Sequence, residues 1–433
     1  MIIYVVQDGD TIASIANEFG VSESRLLRQN CLPNANNLVT GQTILITDPQ
    51  ETYIVKEGDN LSEIAKSYGI PIMQLYRNNP YLWDREYIYP GEELIISYNT
   101  KGTITTSGYA FPYIDSKILR KSLPYLTYLS ILNYRTMKGG EIQSYYDDSE
   151  IIKTAKEFGV LPLMLVSGVS FRGEREPEMI YELLLNPDYQ ENHAKNMLRI
   201  LKEKEYYGVN VTITYLNKTN QDLYINWLNR ITSYLSKEGY PVFVTIDPNL
   251  ITDGNELLFE EINYAYYNKV IEEIYVMRFY WGTNYGPPMP VSSIHNISLY
   301  INYMKQTVDP QKINVGFPLL GYVWELPYMR GLSKGNAISL DSAIELALLM
   351  GATILFDDVS KTPYYEYSVD VDKGHNHIVW FVDARTVNAI MDLVLENELG
   401  GTGLWNIMNF CPQLWQIMIS NFTIEKLLPE TDS

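Results

Sequence analysis

A stretch near the start of the chain returns in recognisable form further on: Tyr4-Val5-Val6-Gln7-Asp8-Gly9-Asp10-Thr11-Ile12 matches Tyr53-Ile54-Val55-Lys56-Glu57-Gly58-Asp59-Asn60-Leu61. The match continues through Ile15-Ala16 with Ile64-Ala65, Phe19-Gly20 with Tyr68-Gly69, Leu26 with Leu75 and Asn30 with Asn79. After one inserted residue it resumes, pairing Gly41-Gln42-Thr43-Ile44 with Gly91-Glu92-Glu93-Leu94. Self-similarity of this kind fixes domain organisation before any other signal is read. Each copy reads as strand, helix, helix, strand. An alternating run ends at Gly-Asp, and Thr11 or Asn60 then caps a helix whose apolar residues recur at helical spacing (Ile12, Ile15, Ala16, Phe19). Gly20 or Gly69 stops that helix, and a short second one carries Leu26-Leu27 or Leu75-Tyr76. The two units are placed at 1–48 and 52–98.

From 103 to 425 the pattern changes to short apolar runs alternating with amphipathic segments, as in βα units. Candidate strands are Thr105 to Ala110, Leu126 to Asn133, Leu161 to Val166, Val209 to Tyr215, Val242 to Asp247, Ile274 to Tyr280, Ile313 to Leu319 and Gly403 to Ile407. Together they predict an α/β fold, a (β/α)8 TIM barrel with function at the C-terminal ends of its strands. Residues 321–382 are too long for one crossover, so they read as an α+β lobe inserted between strands seven and eight.

Composition narrows the function. With 33 Lys+Arg against 52 Asp+Glu the net charge is −19, which argues against nucleic acid and anionic membrane surfaces as partners. Tyrosine is abundant, 36 of 433 residues, which fits sugar stacking, an interaction surface or a thick core. Cys31 and Cys411 fall in different predicted domains, so a disulfide framework is not expected. The histidines at 193, 295, 375 and 377 lack metal-site spacing apart from the weak pair His375 and His377, and neither metal nor cofactor is expected. The start has no basic region or long apolar run of a signal peptide, and no apolar stretch approaches membrane-spanning length.

The repeated units resemble the LysM module on their Tyr/Val strand, Gly-Asp-Thr, Ile-Ala pair, late Asn and closing Gly-x-x-Leu, with Pro90-Gly91 in the second copy and Thr40-Gly41 in the first. That resemblance implies binding of N-acetylglucosamine-containing glycan, such as peptidoglycan or chitin. The implied contacts are Gly9, Asp10, Thr11, Ile12 and Asn30, and Gly58, Asp59, Asn60, Leu61 and Asn79. For Asp10 and Asp59 a role as turn and cap is the competing reading.

The barrel resembles glycoside hydrolase family 18 at Gly108-Tyr109-Ala110-Phe111-Pro112, Leu161-Pro162-Leu163-Met164, Trp281-Gly282, Gly286-Pro287-Pro288, Gly331-Leu332-Ser333, Val379-Trp380-Phe381-Val382-Asp383-Ala384-Arg385 and Gly403-Leu404-Trp405. With the modules ahead of it, the whole chain resembles spore-associated N-acetylglucosaminidases that trim peptidoglycan fragments at germination. The resemblance implies synthesis in the mother-cell cytoplasm and deposition on the spore coat or cortex, and it leaves self-association and coat-protein partners open.

Family 18 implies an Asp-Gly-x-Asn/Asp-x-Asp-x-Glu run on the fourth strand, whose Glu protonates the glycosidic oxygen while the preceding Asp orients the substrate's acetamido group. Here the run is Tyr207-Gly208-Val209-Asn210-Val211-Thr212-Ile213-Thr214. Tyr207 stands at the first acid, Thr212 at the orienting Asp and Thr214 at the general acid. A threonine hydroxyl does not ionise near neutral pH and cannot replace a tuned carboxylic acid. The sixth strand repeats the loss: Met277-Arg278-Phe279-Tyr280 has Phe279 for a tyrosine and Tyr280 for an acid, and Val323 also replaces an Asp. No catalytic set is therefore expected intact. Substitute acids would have to come from Asp247, Glu325 or Asp115. Asn210, Trp281, Trp405 and Tyr109 are the expected sugar contacts in the barrel, with Tyr285 and Trp324 further candidates for the groove. The favoured reading is a peptidoglycan-binding pseudo-glycosidase of the spore envelope. An N-acetylglucosaminidase using other acids and a self-assembling coat or inclusion component are the alternatives.

Overall fold

The computed structural model describes residues 1–30, 32, 37–85, 87–168, 177–214, 216–247, 250–253, 256–277, 286–370 and 375–430, with the side chains of 250–258, 370 and 375 left aside. Cys31, Arg278, Phe279, Tyr280, Trp281 and Tyr285 lie outside the described residues.

The repeated units fold alike, each around its own small core. Ile2–Val5 pairs antiparallel with Thr43–Ile46, and Pro49–Ile54 with Glu93–Tyr98. Thr11 caps the helix Ile12–Phe19 through a reciprocal pair with Ser14, while Asn60 caps Leu61–Tyr68 by accepting the Glu63 amide. Gly20 and Gly69 end these helices in the left-handed conformation, which a residue lacking a Cβ adopts without steric cost. Ile12, Ile15, Leu26 and Ile44 fill the first core, and Ile64, Leu75, Leu94 and Ile96 the second.

Eight parallel strands form the barrel in chain order: Thr103–Ala110, Tyr128–Thr136, Leu161–Ser167, Gly208–Ile213, Val242–Ile246, Ile274–Val276, Ile313–Pro318 and Gly401–Trp405. Pairing of the first strand with both the second and the eighth closes it. A hairpin, Leu250–Asp253 with Glu256–Phe259, follows the fifth strand and has no counterpart in the sequence reading. Between strands seven and eight lies the expected lobe, a five-stranded antiparallel sheet with the helix Leu340–Met350.

What the sequence does not announce is how the modules sit on the barrel. The last helix, Pro412–Asn421, presents Gln413 and Gln416 on one face, as residues three apart must be. Gln413 donates to the Asn30 side chain at 2.9 Å and the Thr43 carbonyl at 2.8 Å in the first module. Gln416 accepts from the Tyr98 hydroxyl at 2.6 Å and donates to the Arg77 and Asn78 carbonyls in the second. Arg77 also reaches the Pro124 carbonyl and pairs with Glu430 at 2.8 Å. The first module adds its closing turn to this interface. The Thr40 carbonyl accepts from the Ile354 amide of the lobe at 2.9 Å, and the Gly41 carbonyl accepts from Arg385. A cavity of about 420 Å³ remains between module and lobe, lined in part by Asn37, Gln42, Asp341 and Gln413.

Gly41 and Gly91 are equivalent, with φ of +87° and +86°, but a Cβ on Gly41 would lie 1.9 Å from the Ile354 carbonyl oxygen, whereas one on Gly91 meets open space. Gly91→Ala is therefore expected to cost only backbone strain, about 1–2 kcal/mol. Gly41→Ala should cost distinctly more and increase protease access to the first module. Thermal unfolding and limited proteolysis of the two variants check this, and equal losses would contradict a tight docking contact.

Candidate functional site

Strand alternation turns every second residue of the barrel inward, and those residues decide what the barrel can do. Asn210, halfway along the fourth strand, is buried. Its amide donates to the Tyr109 hydroxyl at 3.1 Å and Ser130 Oγ at 3.0 Å, and its carbonyl accepts from Thr245 Oγ1 at 2.8 Å. Tyr109 and Thr245 complete the ring at 2.7 Å. This is a closed network of neutral groups, and it occupies the polar atoms of Asn210 with protein partners. Tyr109 is wholly buried and packs against Leu165 and Met277 beneath Trp405. Neither Asn210 nor Tyr109 is thus placed as the sugar contact expected from sequence, because inward parity carries both into the barrel's packed interior.

Nearer the mouth, Thr212 donates its hydroxyl to the Val166 carbonyl of the third strand at 3.2 Å, and Thr214 lies half-buried just past the strand end. Tyr207 lies at the opposite pole, before the first residue of its strand, with its amide bonded to the Pro162 carbonyl and its ring beside Tyr128. It does not reach the mouth. Of the proposed substitute acids, Asp115 caps a helix by accepting the Lys117 and Ile118 amides, and Glu325 is exposed in the lobe opposite His377. Asp247 follows the fifth strand with the inward parity of Phe243 and Thr245, and it is buried.

Trp405 ends the eighth strand in register with Tyr109, half-buried at the mouth. Its ring centroid lies 6.5 Å from Phe111, which stacks on Tyr113 at 5.2 Å, and Tyr113 meets Tyr146 edge-on at 5.2 Å. Tyr113 and Tyr146 are 55% and 38% exposed, so an aromatic strip runs from the barrel mouth out to its rim. Phe111 stands in the sequence only within a resemblance motif, and Tyr113 and Tyr146 lie in none. The available signal was the position of Phe111-Pro112-Tyr113 just past a strand's C-terminal end. Trp324, expected in the groove, is fully buried against Tyr322 and Gly335 in the lobe.

In the modules, Asn30 and Asn79 are structural. Each amide donates to two main-chain carbonyls, of Leu26 and Leu45 or of Leu75 and Ile95, and each carbonyl accepts the Leu45 or Ile95 amide. Gln413 and Tyr81 take the remaining acceptor positions, which fills the capacity of both side chains. Ile12 is core and Leu61 packs against it in its own copy. Asp10 and Asp59 staple their turns, accepting from Tyr4 or Tyr53 and from the Gln7 or Lys56 amide. The Lys56 amide and Tyr53 hydroxyl hold the Asp59 carboxyl below the usual range. Gly9 and Gly58 adopt positive φ in exposed turns, and Thr11 and Asn60 cap.

The model of glycosyl hydrolases family 18 matches residues 152–409, more than half of the chain. The chain belongs to this family. The LysM domain model matches twice, at 4–47 and 53–97. The chain is 28% identical to the cortical fragment-lytic enzyme of Bacillus anthracis, over 98% of this chain and 99% of that one. It is 28% identical to the putative sporulation-specific glycosylase YdhD of Bacillus subtilis, over 99% and 100%. The crystal structure of the Bacillus megaterium spore cortex-lytic enzyme SleL superposes with a TM-score of 0.79 at 29% identity, covering 98% of this chain and 99% of that one.

Within this family 18 barrel, a buried carboxyl that is held protonated lies at the pole away from the mouth. Glu273 precedes the sixth strand and accepts from Tyr275 at 2.7 Å and Asn314 at 3.0 Å. Burial raises it from an ordinary 4.5 to about 7. Because the folded state holds this proton more tightly than the unfolded chain, the stabilisation it gives is full below about pH 4.5. It is lost as pH rises through 7. Glu273→Gln should flatten the melting temperature across that window, with the two proteins diverging in slope between pH 5 and 8. Parallel curves would show that Glu273 does not titrate there.

Proposed function

We propose that this chain is a glycan-binding protein of the bacterial spore envelope, whose barrel holds N-acetylglucosamine-containing peptidoglycan without cleaving it. The observation that carries this reading is Thr214. The position from which a family 18 barrel donates its proton bears an unionisable hydroxyl, and Thr212, where the acetamido group would be oriented, bonds the neighbouring strand. Losing a positioned general acid alone costs about 10²- to 10⁴-fold in rate. The strip Trp405, Phe111, Tyr113 and Tyr146 supports binding, since aromatic rings stack on sugar faces and tyrosine keeps a polar edge. The relatives' names, cortical fragment-lytic enzyme and sporulation-specific glycosylase, support cortex peptidoglycan as the polymer.

Purified full-length protein is expected to bind cortex peptidoglycan while releasing no reducing ends. In titrations with N-acetylglucosamine oligomers, Trp405→Ala should weaken the barrel component about tenfold, the factor equal to about 1.4 kcal/mol. Hydrolysis above the uncatalysed background would overturn the inactive reading.

A second reading has one observation behind it. Asp247 is a carboxylate with inward parity at the end of the strand paired with Thr212. If it supplies the acid, a chromogenic N-acetylglucosaminide is turned over with a bell-shaped pH profile that disappears in Asp247→Asn.

A further inference from the structure

We infer that the two modules divide their labour: the first is a docking element, and the second engages the glycan through Tyr87 and Tyr89. This rests on the glycan-binding reading above and assigns it to particular side chains.

The argument starts from equivalence. With Gly41 aligned to Gly91, Thr40 corresponds to Pro90, Val39 to Tyr89 and Asn37 to Tyr87. In the first module the end of this turn, from Val39 to Gly41, is taken up by the protein itself, while Asn37 stays exposed. Val39 is buried in the core shared with the barrel, the Thr40 and Gly41 carbonyls bond Ile354 and Arg385, and Gly41 leaves no room for a Cβ. In the second module the same turn faces solvent, with Tyr87 69% and Tyr89 58% exposed.

Exposed aromatics are useful to a ligand when they are already ordered, because less side-chain freedom is then lost on binding. Tyr89 meets that condition. Its amide donates to Glu92 at 3.1 Å, and the Arg85 guanidinium lies 5.7 Å from its ring centre. Arg85 is itself held by two bonds to Glu92, at 2.5 and 2.7 Å. One ring face is thus backed by a cation. The Val55 amide bonds the Glu92 carbonyl and the Gly91 amide the Val55 carbonyl, both at 2.8 Å, which ties the turn to the strand that leads into the Gly58-Asp59-Asn60 loop, where Gly58 and Asn60 are exposed. Aromatic faces next to a polar turn suit a pyranose bearing an acetamido group: the C–H face stacks on the rings, which leaves the amide facing the turn.

Co-sedimentation of the full-length protein with purified cortex peptidoglycan tests the assignment, on a Trp405→Ala background so that the barrel's own sugar contact does not mask the modules. Replacing both Tyr87 and Tyr89 by Ala should raise the apparent Kd at least tenfold at an unchanged melting temperature. Tyr89→Phe should retain binding, and Asn37→Ala, the counterpart change in the first module, should leave it unchanged. Wild-type retention with no loss in the double variant, or an equal loss from Asn37→Ala, overturns the division of labour. A wild-type protein that fails to sediment overturns the glycan-binding reading itself.

Discussion

Two glutamines three residues apart hold this architecture together. Gln413 and Gln416 lie on the last helix of the barrel, and each inserts an amide into a different module. Buried amides must find partners or cost about 1–3 kcal/mol apiece, so the positions of Asn30, Thr43, Tyr98 and the end of the Ile72–Asn78 helix are fixed together with that helix. Val39, Leu45, Met73, Ile95 and Tyr98 extend the barrel's apolar core into both modules. The modules are less appendages than further layers of one molecule.

Inside the barrel the same logic of satisfied polar groups holds. Carboxylates in a barrel need desolvated charge to be balanced. The ring of Asn210, Tyr109, Ser130 and Thr245 needs only hydroxyls and an amide, all mutually bonded. Tyrosine serves similarly elsewhere. The hydroxyls of Tyr125, Tyr134, Tyr206 and Tyr365 each reach a backbone carbonyl or Asp148 while their rings fill core. The tyrosine excess is therefore largely an amphipathic building material, with Tyr113 and Tyr146 among its exposed representatives.

The repeat, the barrel strands and the inserted lobe were legible in the sequence because each is periodic: copies in register, alternating strands, a run too long for a crossover. Asn210 and Tyr109 are expected as sugar contacts from motif position and residue type, and neither carries information on depth, so both prove to be buried inside the barrel. Trp324 was misplaced for a related reason, since a tryptophan's chemistry is the same in a lobe core as in a cleft. Asn30 and Asn79 had the right polarity for a ligand, yet their partners are main-chain groups of their own module. Docking was not legible at all, because it depends on surfaces distant in sequence, such as Thr40 meeting Ile354. The departure of Thr40-Gly41 from Pro90-Gly91 gained its meaning only from that contact.

Rigid docking changes what kind of device the molecule is. A binding module on a flexible linker raises the local concentration of its partner over a broad volume, and its effect falls as the tether lengthens. Here only residues 99–102 separate the second module's last strand from the first strand of the barrel, and a buried interface spans them. A polymer gripped at Tyr87 and Tyr89 would therefore lie at one distance and one angle from Trp405. On the proposed reading the molecule would act as a gauge, meeting only those strands of the wall mesh whose course passes both points.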